Sequence, residues 1–147
     1  MDFQPIGLAS DHAGFELKRI LKNELEQMAR SVLDLGAGGT DPVDYPDFGY
    51  AMARALREKR VQTGVLICGS GIGISIAANR HPEVRAALVH DVRGARLARQ
   101  HNDANVICFG GRTIDPEVAR DCLRVFLTTE FEGGHHRPRV EKLSKPF

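Results

Sequence analysis

Short apolar runs alternate with helix-patterned segments along this chain of 147 residues. Each run has the length and composition of a strand buried on both faces, as parallel sheets require. Strands are predicted at 6–10, 31–35, 65–68, 86–89 and 106–109. Helices are predicted at 15–30, 48–59, 74–79 and 93–100, and a last long helix follows Asp115-Pro116. The alternation predicts an α/β fold, a parallel sheet with helices on both faces.

Length and charge narrow the class of protein further. A mass of 16.2 kDa fits one domain over residues 1–147, ending in a basic, proline-interrupted tail from about residue 135. With 20 Lys+Arg against 19 Asp+Glu, the net charge is only +1. The chain as a whole therefore has no strong electrostatic attraction to nucleic acid or to an anionic membrane. No apolar run reaches about 18 residues, and no secretory signal is recognisable. Three cysteines, an odd number, indicate free thiols in a reducing cytoplasm.

Polar side chains follow three of the predicted strands. They are Asp11-His12 after the first, the loop 69–73 after the third, and Gly110-Gly111-Arg112 after the fifth. Ligands of parallel sheets bind outside the carboxyl ends of the strands. A 2-1-3 strand order would bring Asp11 and His12 beside the loop 69–73.

The segment ICGSGIG is the most informative motif. Glycines at 69, 71 and 73 allow a tight turn whose amides converge on an anion, although an ordinary strand-to-helix turn is the alternative. The segment matches neither a dinucleotide-binding fingerprint nor a Walker A loop. It also lacks the arginine that a cysteine phosphatase places after its thiol.

Several single residues each allow a functional and a structural interpretation. Cys68 is either a thiol activated by the loop or a small strand residue, whereas Cys108 and Cys122 are interpreted as core. His101 and Asn102 either act on a substrate or only cap a helix. The pair His135-His136 suggests a metal, but no second ligand cluster has matching spacing, so we predict no metal site.

Several longer stretches together resemble ribose-5-phosphate isomerases of the B type, a family that also holds galactose-6-phosphate isomerase subunits and allose-phosphate isomerases. The stretches are SDHAGFELK, DYPDFGYAMARAL, LICGSGIGISIAANR, RQHNDANVICFGGR, and FEGG followed by RVEKL. The resemblance implies a five-stranded Rossmann- or flavodoxin-like α/β/α sandwich. It also implies a homodimer, or a dimer of dimers, with active sites at the subunit interface.

The resemblance further implies a reaction. Ribose 5-phosphate and ribulose 5-phosphate interconvert through a cis-enediolate in the pentose phosphate pathway, without metal or organic cofactor. The family divides by its catalytic base, and this chain resembles the group with a cysteine before the glycine loop, because Ile74 stands where the other group has glutamate.

The resemblance assigns the family's catalytic roles to three residues of this chain. Cys68 is the base, Ser70 helps to stabilise the oxyanion, and His101 of the partner opens the sugar ring. The amides that share the oxyanion belong to Gly69, Gly71, Ile72 and Gly73. The side chains that position hydroxyls are Asp11, Tyr45 and Asn102, and those that hold the phosphate are His12, Arg112 and Arg139.

Two departures bear on substrate preference. His135 stands where relatives often have a first phosphate-binding arginine, so the alternatives are that His135 or Arg137 replaces it or that the phosphate is bound more weakly. Arg93-Gly94 replaces an aromatic-plus-hydroxyl pair expected of the family. The alternative functions are isomerisation of allose 6-phosphate or galactose 6-phosphate, and non-catalytic binding of a phosphosugar.

Overall fold

The computed structural model describes residues 4–147 and contains one parallel sheet of five strands. The strands are β1 (Ile6–Ser10), β2 (Val32–Asp34), β3 (Gly64–Cys68), β4 (Ala86–Leu88) and β5 (Val106–Gly110). Their order is β2-β1-β3-β5-β4, and it contains the 2-1-3 neighbours that bring Asp11 and His12 beside the loop 69–73. The last two strands are exchanged relative to the flavodoxin order. Because β1, β3 and β5 are consecutive in the sheet, the loops after them are neighbours.

Helices cover both faces of the sheet, which confirms the three-layer sandwich. The helices are α1 (Phe15–Gln27), α2 (Tyr45–Arg57), α3 (Ile72–Ala78), α4 (Val92–Gln100), α5 (Pro116–Thr128) and α6 (Arg137–Leu143). Helices α1, α4 and α5 pack on one face, and α2 and α3 pack on the other. None of the helices within residues 4–147 has the length and apolarity to cross a membrane.

The alternation of side chains along β3 shows how the sequence forms both layers. Val65 and Ile67 point into the core beneath α1, α4 and α5, whereas Leu66 and Cys68 point into the core beneath α2 and α3. All four residues are buried. A strand covered on both faces therefore reads as a continuous apolar run, as the sequence predicted.

Several predicted helix boundaries were wrong, each for a local reason. Helix α1 ends at Gln27 rather than 30, because Ala29 adopts a left-handed backbone with φ +59°. Helix α2 begins at Tyr45 rather than 48, with Pro46 in its first turn. Helix α3 begins at Ile72 rather than 74, directly after Gly71.

The basic, proline-interrupted tail from about residue 135 forms a short helix. A short 3-10 turn at Gly134–His136 leads into α6. Pro138 lies in the first turn of α6, where its missing amide hydrogen costs nothing. Val140 is the buried residue of this helix and anchors it to the rest of the molecule.

An ion pair joins the amphipathic helices α1 and α5. Buried Glu24 accepts two hydrogen bonds from the Arg124 guanidinium, at 2.7 and 3.1 Å, and Arg120 lies 3.8 Å away. The Arg124 hydrogen bonds outweigh the effect of burial and hold the pKa of Glu24 below its ordinary value of 4.5. This pair lies among scaffold helices rather than in a strand-end loop.

Candidate active site

The loops after β3 and β5 are tied together at the carboxyl edge of the sheet. Cys68 ends β3, is buried, and accepts a hydrogen bond at its carbonyl from the Gly111 amide at 2.8 Å. The Arg112 amide donates to the Gly69 carbonyl at 3.0 Å. Backbone bonds thus fix the position of the Cys68 thiol relative to Arg112.

Glycine is required where these loops pass each other. Gly71 has φ +78°, and a Cβ there would lie 2.8 Å from the Phe109 carbonyl carbon. A Cβ on Gly110 would lie 2.7 Å from the Ser70 carbonyl carbon and oxygen. Real Cβ atoms do not approach so closely, so side chains at these positions would force the loops apart.

Ser70 and Tyr45 border the loop from two sides. The Ser70 hydroxyl oxygen accepts a hydrogen bond from the Ile72 amide at 3.2 Å, which leaves its own hydrogen free to donate. The Tyr45 ring lies against Gly73, where a Cβ would approach it to 2.6 Å. The loop therefore presents a hydroxyl and an aromatic face beside the thiol.

Asp11 and His12 are fixed by backbone donors. The buried Asp11 carboxylate accepts from the Gly14 amide at 3.1 Å, and the Asp11 amide donates to the Ile67 carbonyl at 3.2 Å. His12 Nδ1 accepts from the Val43 amide at 3.1 Å. An accepting Nδ1 places the proton of the neutral ring on Nε2, so that Nε2 is a donor.

The other two thiols are held in their unreactive protonated form. Burial, with a smaller effect of neighbouring Cys68, raises the pKa of Cys108 far above its ordinary value. Burial also raises the pKa of Cys122 to about 11. Both residues lie in the core, which confirms their structural interpretation.

His101 and Asn102 lie at the opposite edge of the sheet. Helix α4 follows β4 and runs back towards the amino ends of the strands, where His101 is its C-cap residue. The Asn105 carbonyl, four residues further on, accepts from the amide of Gly64, the first residue of β3. Cys68 ends that strand, so the strand's own length separates the two positions by about 13 Å. The imidazole of His101 therefore cannot reach Cys68 of its own chain.

The segment that follows α5 brings further groups to His101. The Glu132 amide donates to the Gln100 carbonyl at 3.0 Å, and the Glu132 carboxylate lies 3.7 Å from both His101 Nε2 and His136 Nε2. The His101 and His136 rings stack with centroids 4.3 Å apart, and the His135 ring lies 4.0 Å from that of His136. Burial, followed by the nearby His135 and His101, lowers the pKa of His136.

The three arginines differ in their surroundings. The Arg137 guanidinium lies over the Phe131 ring, 5.4 Å from its centroid. Arg139 is exposed on α6 near His136, and Arg112 lies at the other edge beside Gly69. The sequence reasoning missed Phe131 and Glu132. The four-residue spacing of Glu132 and His136 was a detectable signal, but His101 joins them only through the fold.

The predicted site residues thus form two groups at opposite edges of one sheet. The group at the carboxyl edge, called here the thiol half-site, comprises Asp11, His12, Tyr45, Cys68, Gly69, Ser70, Gly71, Ile72, Gly73 and Arg112. The group at the amino edge, called here the histidine half-site, comprises His101, Asn102, His135, Arg137 and Arg139. One chain places each group at one edge of the sheet but does not bring the two groups to each other.

Comparison with known proteins agrees with this arrangement of elements. The family model described as Ribose/Galactose Isomerase matches residues 6–143. The chain is 40% identical to D-erythrulose-4-phosphate isomerase of Pectobacterium atrosepticum, covering 94% of this chain and 91% of that protein. The structure of ribose-5-phosphate isomerase B from Clostridium thermocellum superposes with a TM-score of 0.94 at 42% identity, covering 97% and 96% of the two chains. That from Anaplasma phagocytophilum gives 0.88 at 48% identity, covering 97% and 98%. The chain belongs to the ribose/galactose isomerase family.

Proposed function

We propose that this protein interconverts ribose 5-phosphate and ribulose 5-phosphate through a cis-enediolate, in a homodimer whose active sites combine the two half-sites. Family membership carries the reaction class, aldose–ketose isomerisation of a sugar phosphate. The observation that supports the assembly is the separation of His101 from Cys68 by the length of β3. This function belongs to the pentose phosphate pathway, and the cytoplasm is the corresponding compartment.

The thiol half-site supplies the proton shuttle. The Cys68 thiolate removes the proton from C2 of the open aldose, the hydroxyl proton on O2 moves to O1 across the cis-enediolate, and the resulting thiol returns a proton to C1. The developing enediolate oxygen is stabilised by the Ser70 hydroxyl and the amides of Gly69, Gly71, Ile72 and Gly73. Preorganised donors of this kind contribute about 3–4 kcal/mol to transition-state stabilisation. The proton shift leaves the overall oxidation state unchanged, so the reaction itself requires no redox cofactor.

The histidine half-site of the partner supplies ring opening. His101 acts as acid and base between the ring oxygen and the anomeric hydroxyl, and Asn102 joins Asp11 and Tyr45 in positioning hydroxyls. The phosphate dianion is held by His12, Arg112 and Arg139. His12 suits this role because Val43 fixes its Nε2 as the donor.

An exposed apolar surface beside Cys68 supports pairing with a second copy. Ile72 and Ile76 lie one turn apart on α3 and are 53% and 57% exposed. Tyr45, next to the same loop, is 41% exposed. Covering such side chains would exclude water from the thiol and bring a second chain to the carboxyl edge.

A coupled assay tests the proposed function. Initial rates on ribose 5-phosphate, allose 6-phosphate and D-erythrose 4-phosphate are compared with EDTA present throughout. We expect the highest kcat/KM on ribose 5-phosphate and full activity in EDTA. Turnover of allose 6-phosphate alone would identify that six-carbon sugar phosphate as the substrate instead. Binding of all three without turnover would instead indicate a phosphosugar-binding protein.

A further inference from the structure

Three metal-ligating side chains converge at the amino edge of the sheet. They are His101, Glu132 and His136, and one donor atom from each lies within 4.8 Å of the others. Both imidazole Nε2 atoms lie 3.7 Å from the same carboxylate oxygen of Glu132. The three donors therefore surround one point rather than forming a row.

Two of the three donor separations are close to those of a tetrahedral zinc centre, and the third lies within 4.8 Å. Bonds of about 2.0–2.2 Å to imidazole nitrogen and carboxylate oxygen place neighbouring ligands roughly 3.3–3.5 Å apart. The nitrogen–oxygen separations need to shorten by only a few tenths of an ångström. The stacked rings of His101 and His136 must also turn so that their lone pairs meet. Three protein ligands leave a fourth position for water.

The backbone already holds two of the ligands near each other. The Glu132 amide is bonded to the Gln100 carbonyl, directly before His101. The His136 amide donates to the Gly133 carbonyl at 3.1 Å, and only 14% of the His136 side chain is exposed. Little backbone ordering is therefore left for metal binding to impose.

We propose that His101, Glu132 and His136 form a site for Zn²⁺ or a similar divalent transition metal, and that its occupation inhibits the enzyme. Two imidazoles and a carboxylate suit zinc and cobalt, whereas calcium and magnesium prefer oxygen ligands. The bound metal occupies the Nε2 lone pair of His101, which then cannot exchange protons with a sugar ring. The inhibition rests on the proposed function, but the metal binding does not.

The thiol of Cys68 is the competing target for a thiophilic metal. A metal at Cys68 would also inhibit, but through a bond to sulfur and independently of Glu132 and His136. Co²⁺ distinguishes the two sites, because a cobalt–thiolate bond gives an intense charge-transfer absorption that nitrogen and oxygen ligands do not give.

Co²⁺ titration of the purified full-length protein, previously dialysed against EDTA, tests the binding. We expect one cobalt per chain, visible as a d–d absorption without the thiolate band and displaced by Zn²⁺. His136→Gln and Glu132→Gln should each raise the Kd about tenfold or more. Cys68→Ala and His81→Gln, a matched histidine outside the cluster, should leave it unchanged. A thiolate band, loss of binding in Cys68→Ala, or unaltered affinity in both cluster variants would overturn the site.

Steady-state assays test the inhibition. Zn²⁺ should reduce turnover of ribose 5-phosphate by the wild-type enzyme, and EDTA should restore it. His136→Gln should require at least about ten times more Zn²⁺ for the same fractional loss, relative to its own metal-free rate. Equal sensitivity of the two enzymes would refute the inhibition while leaving the cobalt result intact. Absence of activity in every metal-free sample would count against the proposed function rather than against the metal site.

Discussion

The two edges of the sheet build their half-sites by different means. At the carboxyl edge, backbone hydrogen bonds and close-packed glycines hold the loops around Cys68. At the amino edge, His101 and the tail meet through stacked imidazoles, a carboxylate and one backbone bond. The thiol half-site is thus fixed by the sheet itself, whereas the histidine half-site depends on side chains and on the ordering of the tail. The difference is what the proposed roles require, in which Cys68 is a base held within the fold and His101 is an acid that acts in the site of another chain.

The exposure of Cys68 and of His101 also differs between the two edges of the sheet. Cys68 is buried at 4% exposure, and 42% of the His101 side chain is exposed. A proton-transfer base works best in a site from which water is excluded. The proposed action of His101 in another subunit's site requires its side chain to project from its own chain.

Removing the Cys68 thiol should have the largest effect. We expect Cys68→Ala to lower kcat by about 10⁴-fold, the upper end of what a general base contributes. The cost in unfolding free energy should be only about 1–2 kcal/mol. Cys122→Ala, which removes a buried thiol far from the loop, should retain activity. Steady-state kinetics and thermal unfolding measure both, and a Cys68→Ala enzyme within tenfold of wild type would remove the thiol from the mechanism.

Removing the His101 imidazole should have an effect that depends on the sugar. On ribose 5-phosphate we expect His101→Ala to lower kcat by about 10²-fold, since a ring must be opened. D-erythrose 4-phosphate cannot close a furanose ring, because its 4-hydroxyl carries the phosphate. On that substrate the loss should be much smaller. Equal losses on both sugars would show that His101 acts on something other than the ring.

Removing the Arg139 guanidinium should weaken the binding of the substrate phosphate by the histidine half-site. Charge-assisted hydrogen bonds contribute about 1.5–3 kcal/mol, so Arg139→Ala should raise KM by roughly ten- to a hundredfold with a smaller loss in kcat. Arg137→Ala is the matched variant two residues away, and its KM should change less because that guanidinium stacks on Phe131. A larger KM effect in Arg137→Ala would make Arg137 the phosphate ligand.

A change between the scaffold helices should leave both half-sites working. Glu24→Gln breaks the charged contact with Arg124 and should alter kcat by less than about twofold. The pKa of Glu24 is lowered in the folded state, so the contact stabilises the fold above the ordinary value of 4.5. That stabilisation is lost as the pH falls through the lower folded value. Urea unfolding should therefore show a wild-type advantage at pH 7 that shrinks below pH 4.5, and a gap that widens in acid would contradict this assignment.

The sequence predicted the carboxyl edge better than the amino edge, for a physical reason. Strand ends and glycine loops are local patterns, and the parallel topology then brings Asp11, Cys68 and Arg112 to one edge. The convergence of His101, Glu132 and His136 depends on how far α4 runs back and where the tail docks. Neither the extent of α4 nor the docking position of the tail can be predicted from the spacing of residues in the sequence. The start of α2 at Tyr45 was missed because Pro46 looks like a helix breaker until it is placed in a first turn.

A mixed dimer tests the union of the two half-sites most directly. Cys68→Ala and His101→Ala chains, carrying different affinity tags, are co-expressed, and the dimer with one of each is purified. One of its two sites then holds an intact Cys68 from one chain and an intact His101 from the other. We predict about half of the wild-type activity per dimer on ribose 5-phosphate, although each parent is nearly inactive. A mixed dimer no more active than its parents would contradict an active site shared between chains.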